Sequence, residues 1–128
     1  MAFRGADGTV ALWRFFGDLE RDTSFAAAGV ARSFAGTPQS LQSLADGKIL
    51  VAGFTSGAAS AIALAVQQLN SDGSPDTTFG AASGTVTMQI GGVPTIARAA
   101  VVDPDGRIVV VGFTAGASTA SFILRLWR

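Results

Sequence analysis

Asp46-Gly-Lys-Ile-Leu-Val-Ala-Gly-Phe-Thr55 returns 59 residues later as Asp105-Gly-Arg-Ile-Val-Val-Val-Gly-Phe-Thr114. Each copy runs from a turn dipeptide through one basic residue and four apolar residues to Gly-Phe-Thr. The dipeptides Asp46-Gly47 and Asp105-Gly106 predict tight hairpin turns with positive backbone torsions. The β-branched apolar run behind each turn predicts a strand buried on both faces, inside a sheet. A stretch that recurs at such a spacing is one structural unit used twice.

Other markers recur with it. Asp22-Thr-Ser-Phe25 has its twin, 54 residues on, in Asp76-Thr-Thr-Phe79, and both lead into short strand-like runs, 30–34 and 85–90. The stretches Ala35-Gly-Thr-Pro38 and Gly91-Gly-Val-Pro94 come next and predict crossover loops. Beyond Gly-Phe-Thr, small residues at 56–60 and 115–119 connect to the apolar runs 61–69 and 120–127. Aligned on their ends, these runs place Arg14-Phe15, Gln68-Leu69 and Arg125-Leu126 in one column. Residues 58–69 are rich in helix formers, but the partner run 121–127 is too short, aromatic and branched for a helix. Both therefore read as strands. The predicted strands are 8–15, 29–34, 39–44, 48–55, 61–69, 84–90, 95–102, 107–114 and 120–127.

Four strands in a period of 54 to 59 residues describe one propeller blade, whose inner strands meet a neighbouring blade on each side. The expected fold is all-β, with antiparallel four-stranded repeats forming about two blades of a partial β-propeller. Residues 1–128 read as a single repeat domain: a partial blade at 8–35, a blade at 38–91 and an incomplete last blade at 95–127. The last blade lacks an outer strand, and residues 30–34 are of the type that supplies one when a ring closes. A ring needs roughly 4 to 8 blades. Further repeats or self-association are therefore expected to cover the apolar blade faces.

Composition narrows the function classes. Nine basic and nine acidic residues cancel without a Lys/Arg cluster, which sets nucleic-acid binding aside. No apolar run reaches the roughly 20 residues of a membrane helix, so no membrane insertion is expected. Residues 1–8 lack the apolar core of a secretory signal, and localisation stays unknown on the residues alone. The chain has no cysteine and no histidine, which removes thiol nucleophiles, His-dependent serine triads and the usual zinc sites.

Carboxylates are the remaining chemistry, and all of them fall in predicted turns. Paired carboxylates hydrolyse glycosides or bind calcium. The candidates are Asp72 and Asp76 in one turn and Asp103 and Asp105 in another, with Asp103 the clearest break in the repeat, since its counterpart is Leu44. Against this, Asp is favoured in turns because its side chain bonds the backbone two residues on, and neither spacing is that of an EF-hand. Trp13, Trp127, Phe15 and Phe16 form either an aromatic surface for sugars or peptides, or blade packing, which is favoured. Phe25, Phe79, Phe54 and Phe113 recur with the repeat and read as core. Arg14 and Arg125, which share a column with Gln68, either clamp an anion or, the favoured reading, cap carbonyls or pair with a turn aspartate such as Asp22.

The repeat resembles the delta-60 repeat family of bacterial β-propeller-type proteins. The matching stretches are Ala45-Asp-Gly-Lys-Ile-Leu-Val-Ala-Gly53, Ser71-Asp-Gly-Ser-Pro-Asp-Thr-Thr-Phe-Gly80, Pro104-Asp-Gly-Arg-Ile-Val-Val-Val-Gly112 and Phe122-Ile-Leu-Arg-Leu126. Two residues depart from the pattern: Asp18-Leu19 stands where Asp-Gly is usual, and Gln68 replaces an arginine. The resemblance implies an exported or cell-surface setting in bacteria, and no activity. The expectation is a non-enzymatic module that binds or scaffolds, is part of a larger or self-associating protein, and has no cofactor and an unknown protein or carbohydrate ligand. The repeat-defining positions Asp46, Gly47, Gly53, Phe54, Asp105, Gly106, Gly112, Phe113, Phe25 and Phe79 are then structural. The rival expectations are a carbohydrate-active or other hydrolase using turn carboxylates, and a calcium-stabilised adhesion module.

Overall fold

The computed structural model describes residues 2–4, 7–58, 61–116 and 118–127, without the side chains of 3, 81 and 82. Parts of the connections at 56–60 and 115–119 therefore lie outside the described residues. The strands in chain order are β1 (Ala2–Arg4), β2 (Thr9–Trp13), β3 (Val30–Ser43), β4 (Ile49–Thr55), β5 (Leu64–Leu69), β6 (Thr85–Met88), β7 (Thr95–Val102), β8 (Ile108–Ala115) and β9 (Thr119–Leu126). No α-helix occurs among the described residues, only a five-residue π-helical turn at Gly80–Gly84. The strands form a six-stranded sheet in the order β1 to β6 and a three-stranded sheet in the order β7 to β9, with every pairing antiparallel. The protein is all-β, a partial β-propeller.

The six-stranded sheet is two units joined by β3. Residues 30–35 of β3 pair with β2, and residues 36–43 pair with β4. The stretch Ala35-Gly-Thr-Pro38 is therefore strand and not the expected crossover loop, whereas Gly91-Gly-Val-Pro94 is a loop. Pro38 fits because it sits at a bulge between Pro38 and Ser40, where the hydrogen-bond ladder is interrupted. The same bulge recurs between Ala97 and Ala99. Opposite it, a Cβ on Gly53 would lie 2.0 Å from the Thr37 carbonyl oxygen, and one on Gly112 would lie 2.0 Å from that of Ile96. This backbone contact explains the glycine in Gly-Phe-Thr.

Residues 30–34 already spend their pairing on β2, so the outer-strand role expected of them is filled within their own unit. Residues 36–43, β4, β5 and β6 make a complete four-stranded blade. The units flanking it have three strands each among the described residues: β1, β2 and residues 30–35 on one side, and β7, β8 and β9 on the other.

Two cores separate the three units. Leu50, Ala52, Leu64 and Val66 leave one face of the complete blade to pack on Ala97, Ala100, Ile108 and Val110 of the next unit. Val51 and Leu69 leave the other face to meet Val10, Leu12, Phe25 and Ala31. This sandwiching is why β4 reads as a continuous apolar run and why β5, with Gln67 and Gln68 in it, is buried along its whole length. Phe25 and Phe79 are buried, as expected; Phe54 and Phe113 are only half-buried, and Phe113 lies 5.0 Å beneath the Arg98 guanidinium.

The hairpin turns differ from expectation in type. Residues 45–47 are a three-residue loop closed by Leu44 N–H to Lys48 O at 2.8 Å, with Gly47 N–H to Leu44 O at 2.9 Å. Only the glycine has positive φ, so this is a type I turn with a left-handed third residue. The same pattern closes Asp103–Arg107, Asn70–Ser74 and Phe16–Glu20. In the last of these, Leu19 takes the glycine position at φ 69° with its side chain exposed. An L-residue pays roughly 1–2 kcal/mol there. Leu19→Gly is therefore expected to stabilise the protein by about 1 kcal/mol net of unfolded-chain entropy. An unchanged or lower urea midpoint would contradict it.

Candidate functional site

The buried acids are Asp22 and Asp76, which open equivalent turns. Asp22 N–H donates to Arg14 O and Asp76 N–H to Gln68 O, each at 2.9 Å. The Asp22 Oδ1 accepts Ser24 N–H at 3.0 Å and the Ser24 hydroxyl, while Oδ2 accepts Arg14 Nε at 2.8 Å and ion-pairs with Arg14 Nη2 at 2.6 Å. The same guanidinium donates to Ser71 O at 2.8 Å and covers the Phe25 ring at 4.6 Å. Arg14 thus both pairs with Asp22 and caps a carbonyl.

In the complete blade Gln68 stands in that column and contributes no charge. Its Nε2 reaches Asp76 Oδ2 at 2.6 Å, and Lys48 Nζ, from the end of the hairpin turn, reaches the same oxygen at 2.6 Å. Oδ1 accepts Thr78 N–H at 3.0 Å and Thr78 Oγ1 at 2.6 Å. Lys48 was visible in the sequence only as the basic residue after Asp-Gly. The clue to its role was the loss of arginine at 68, which leaves a buried aspartate in need of a cation from elsewhere.

The remaining candidates hold their own turns. Asp72 Oδ1 accepts Ser74 N–H at 2.9 Å and Oγ at 2.6 Å. Asp103 Oδ1 accepts the amides of Asp105 at 2.9 Å and Arg107 at 3.0 Å, and Asp105 Oδ2 pairs with Arg107 Nη2 at 2.7 Å. Asp103, which breaks the repeat, thus caps a turn that Leu44 closes through its backbone alone. Among the described residues no group of three or more acids is placed to hold a metal ion.

The hydroxyl of Ser24, followed by Arg14, holds the Asp22 carboxyl below the ordinary carboxylate range, and Lys48 and Thr78 hold Asp76 well below it. The Ser74 and Thr9 hydroxyls lower Asp72 and Asp7 in the same way. These groups bind protons more weakly folded than unfolded, so unfolding takes up protons in acid. Their contribution is complete above the unfolded value near 3.8 and is lost as pH falls through the depressed folded values. The urea midpoint is expected to be flat above about pH 5 and to fall steadily below about pH 4. A midpoint unchanged down to about pH 3 would contradict this.

Among the aromatic candidates, Trp13 and Phe15 meet edge to face at 6.4 Å with Arg21 over the indole at 5.0 Å, while Phe16 is exposed. They border an apolar cavity of about 380 Å³ that Leu41 and Ile49 also line. A larger one of about 560 Å³ contains a single acid, Asp72, which is bonded to Ser74. Trp127 belongs to the other end of the stack, is 79% exposed and lies under Arg107 at 5.3 Å. It does not pack as expected. With Val101, Val111 and Ile123 (76% exposed) it leaves the outer side of the last unit apolar and open.

These features define a class, a β-propeller-type repeat protein. The model of a domain of unknown function (DUF5122), described as a beta-propeller, matches residues 44–79 and 104–128, slightly less than half of the chain. The matched stretches run from the turn before β4 through Phe79, and from the turn before β8 through β9. No curated protein matches the chain. No helix among the described residues is long and apolar enough to cross a membrane.

Proposed function

We propose that this chain is a non-enzymatic β-propeller-type module of the delta-60 repeat kind, acting as a binding or scaffold unit in a larger or self-associating exported or surface protein. The observation that carries the reading is the use made of the carboxylates. Asp22, Asp72, Asp76, Asp103 and Asp105 each hold a turn or an ion pair, and the buried pairs recur from unit to unit. A catalytic pair needs one free carboxylate facing a cleft. Calcium needs several oxygens converging on one point, and those of Asp76 are already engaged by Lys48, Gln68 and Thr78. The open apolar face of the last unit supports a protein partner or a further repeat.

A panel of glycosides, esters, phosphodiesters and peptides tests the reading, run on the wild type and on Asp103→Asn and Asp105→Asn. No turnover above buffer is expected. Turnover that either substitution abolishes would overturn the reading. The melting temperature is also expected to be unchanged by millimolar calcium, because a ligand that binds only the folded state raises it. A chelator-reversible rise would establish the calcium-stabilised module instead.

A further inference from the structure

We propose that the free edge of β9 is a socket for an extended polypeptide segment that carries Asp-x-(Ser/Thr)-Phe followed by a short strand rich in Thr and Val. The inference rests on the binding-module reading and names the partner chemistry. The complete blade shows the socket occupied. Residues Leu64–Gln67 of β5 pair on their outer side with Thr85–Met88, and the turn leading there plants Asp76 on Lys48 and Gln68 and buries Phe79 in the core. In the last unit the equivalent of that edge is residues 121–124 of β9, which pair with β8 on the other side and with no strand among the described residues. The edge amides and carbonyls form a ready template for one more strand.

The side chains around this edge match such a segment. Arg125 stands where Gln68 holds Asp76, in the column where Arg14 holds Asp22, yet among the described residues it has no ion pair or hydrogen bond. Arg107 stands where Lys48 holds Asp76; its Nε is buried, lies 3.8 Å from Asp103 Oδ2 and lacks a hydrogen-bond partner. Two guanidinium groups thus flank the place an incoming aspartate would take. Ile123 and Val111 occupy the positions of Val66 and Ala52, which in the complete blade lie in the core that includes Phe79. In the complete blade that core is closed by Phe79 together with Ala97, Ala100, Ile108 and Val110 of the next unit, so Ile123 and Val111 offer an incoming phenylalanine an open apolar surface. The socket therefore selects by charge at one point, by an aromatic ring at a second and by strand pairing between them.

The test uses the full chain and a synthetic peptide of residues 70–90, which is the occupant of the complete blade. The expected result is saturable one-to-one binding, a change in Trp127 emission and slowed amide exchange at residues 121–124. Arg125→Ala removes no hydrogen bond or ion pair found among the described residues and should weaken binding by at least about tenfold through loss of a charge-assisted bond. A peptide with Phe79→Ala should fail to bind. Absence of binding by the wild type would overturn the proposal. So would equal affinity for Arg125→Ala, since a peptide that enters by displacing β6 meets Gln68 and Lys48 and has no need of Arg125. Failure of the peptide with the substrate panel still silent sinks the socket alone; turnover sinks the module reading whether or not the peptide binds.

Discussion

Phe79→Ala is expected to cost about 3–5 kcal/mol and to unfold much of the population at moderate urea. The ring is almost fully buried among Leu50, Leu64, Val66, Ile108 and Val110, so its loss opens a cavity between the complete blade and the last unit. The stack cannot close that gap, because strand pairing fixes the backbones on either side. Phe113→Ala removes a ring of the same size from a half-buried site beneath Arg98. It should cost far less, about 1–2 kcal/mol. Urea denaturation followed by tryptophan fluorescence measures both. Equal losses would mean that the two phenylalanines share one kind of environment, contrary to the packing described.

Asp76→Ala should cost a comparable amount, about 3–5 kcal/mol, because it breaks a buried ion pair and orphans several donors at once. Thr78 loses the acceptor for its amide and hydroxyl, Gln68 is left buried without its carboxylate, and Lys48 keeps an uncompensated charge. The division of labour between Lys48 and Gln68 is separable. Lys48→Met should cost about 2 kcal/mol, since the lysine side chain is about a third exposed and water softens the loss. Adding Gln68→Arg should recover most of it, because Arg14 shows that an arginine in this column pairs with the turn aspartate directly. Additive rather than compensating effects in this cycle would disprove the equivalence of the two sites.

The sequence disclosed the repeat because its markers answer to backbone geometry. Glycine at 53 and 112 is enforced by a carbonyl 2.0 Å from any Cβ, and the Asp-Gly pairs by a left-handed residue in the turn. Such constraints leave a mark on residue type. Residues 35–38 carry the Gly and Pro of a loop, but here these residues mark a strand that changes partners and a bulge that tolerates proline. The short β1 leaves no mark in the sequence because three residues carry no periodicity. The strand count foretells an open apolar face, but the residues of the strand itself do not mark which face is open. Val109, Val110 and Val111 form the same apolar run as Leu50, Val51 and Ala52, yet only the latter have a neighbour on both sides. Residue type records what a strand is suited to meet, and the covering partner is a matter of assembly. Lys48 was likewise legible as a conspicuous cation, but its partner 28 residues away depended on the fold.

Amide hydrogen exchange on the isolated chain tests the central claim, that one complete blade lies between two incomplete units. Residues 64–67 of β5, paired on both edges and buried on both faces, should be among the slowest to exchange. Alternate amides of residues 121–124, at the equivalent position on β9, should exchange at once because only one edge is paired. Equal protection of the two segments would contradict the account, since it would require a strand beside β9 that this arrangement of units does not contain.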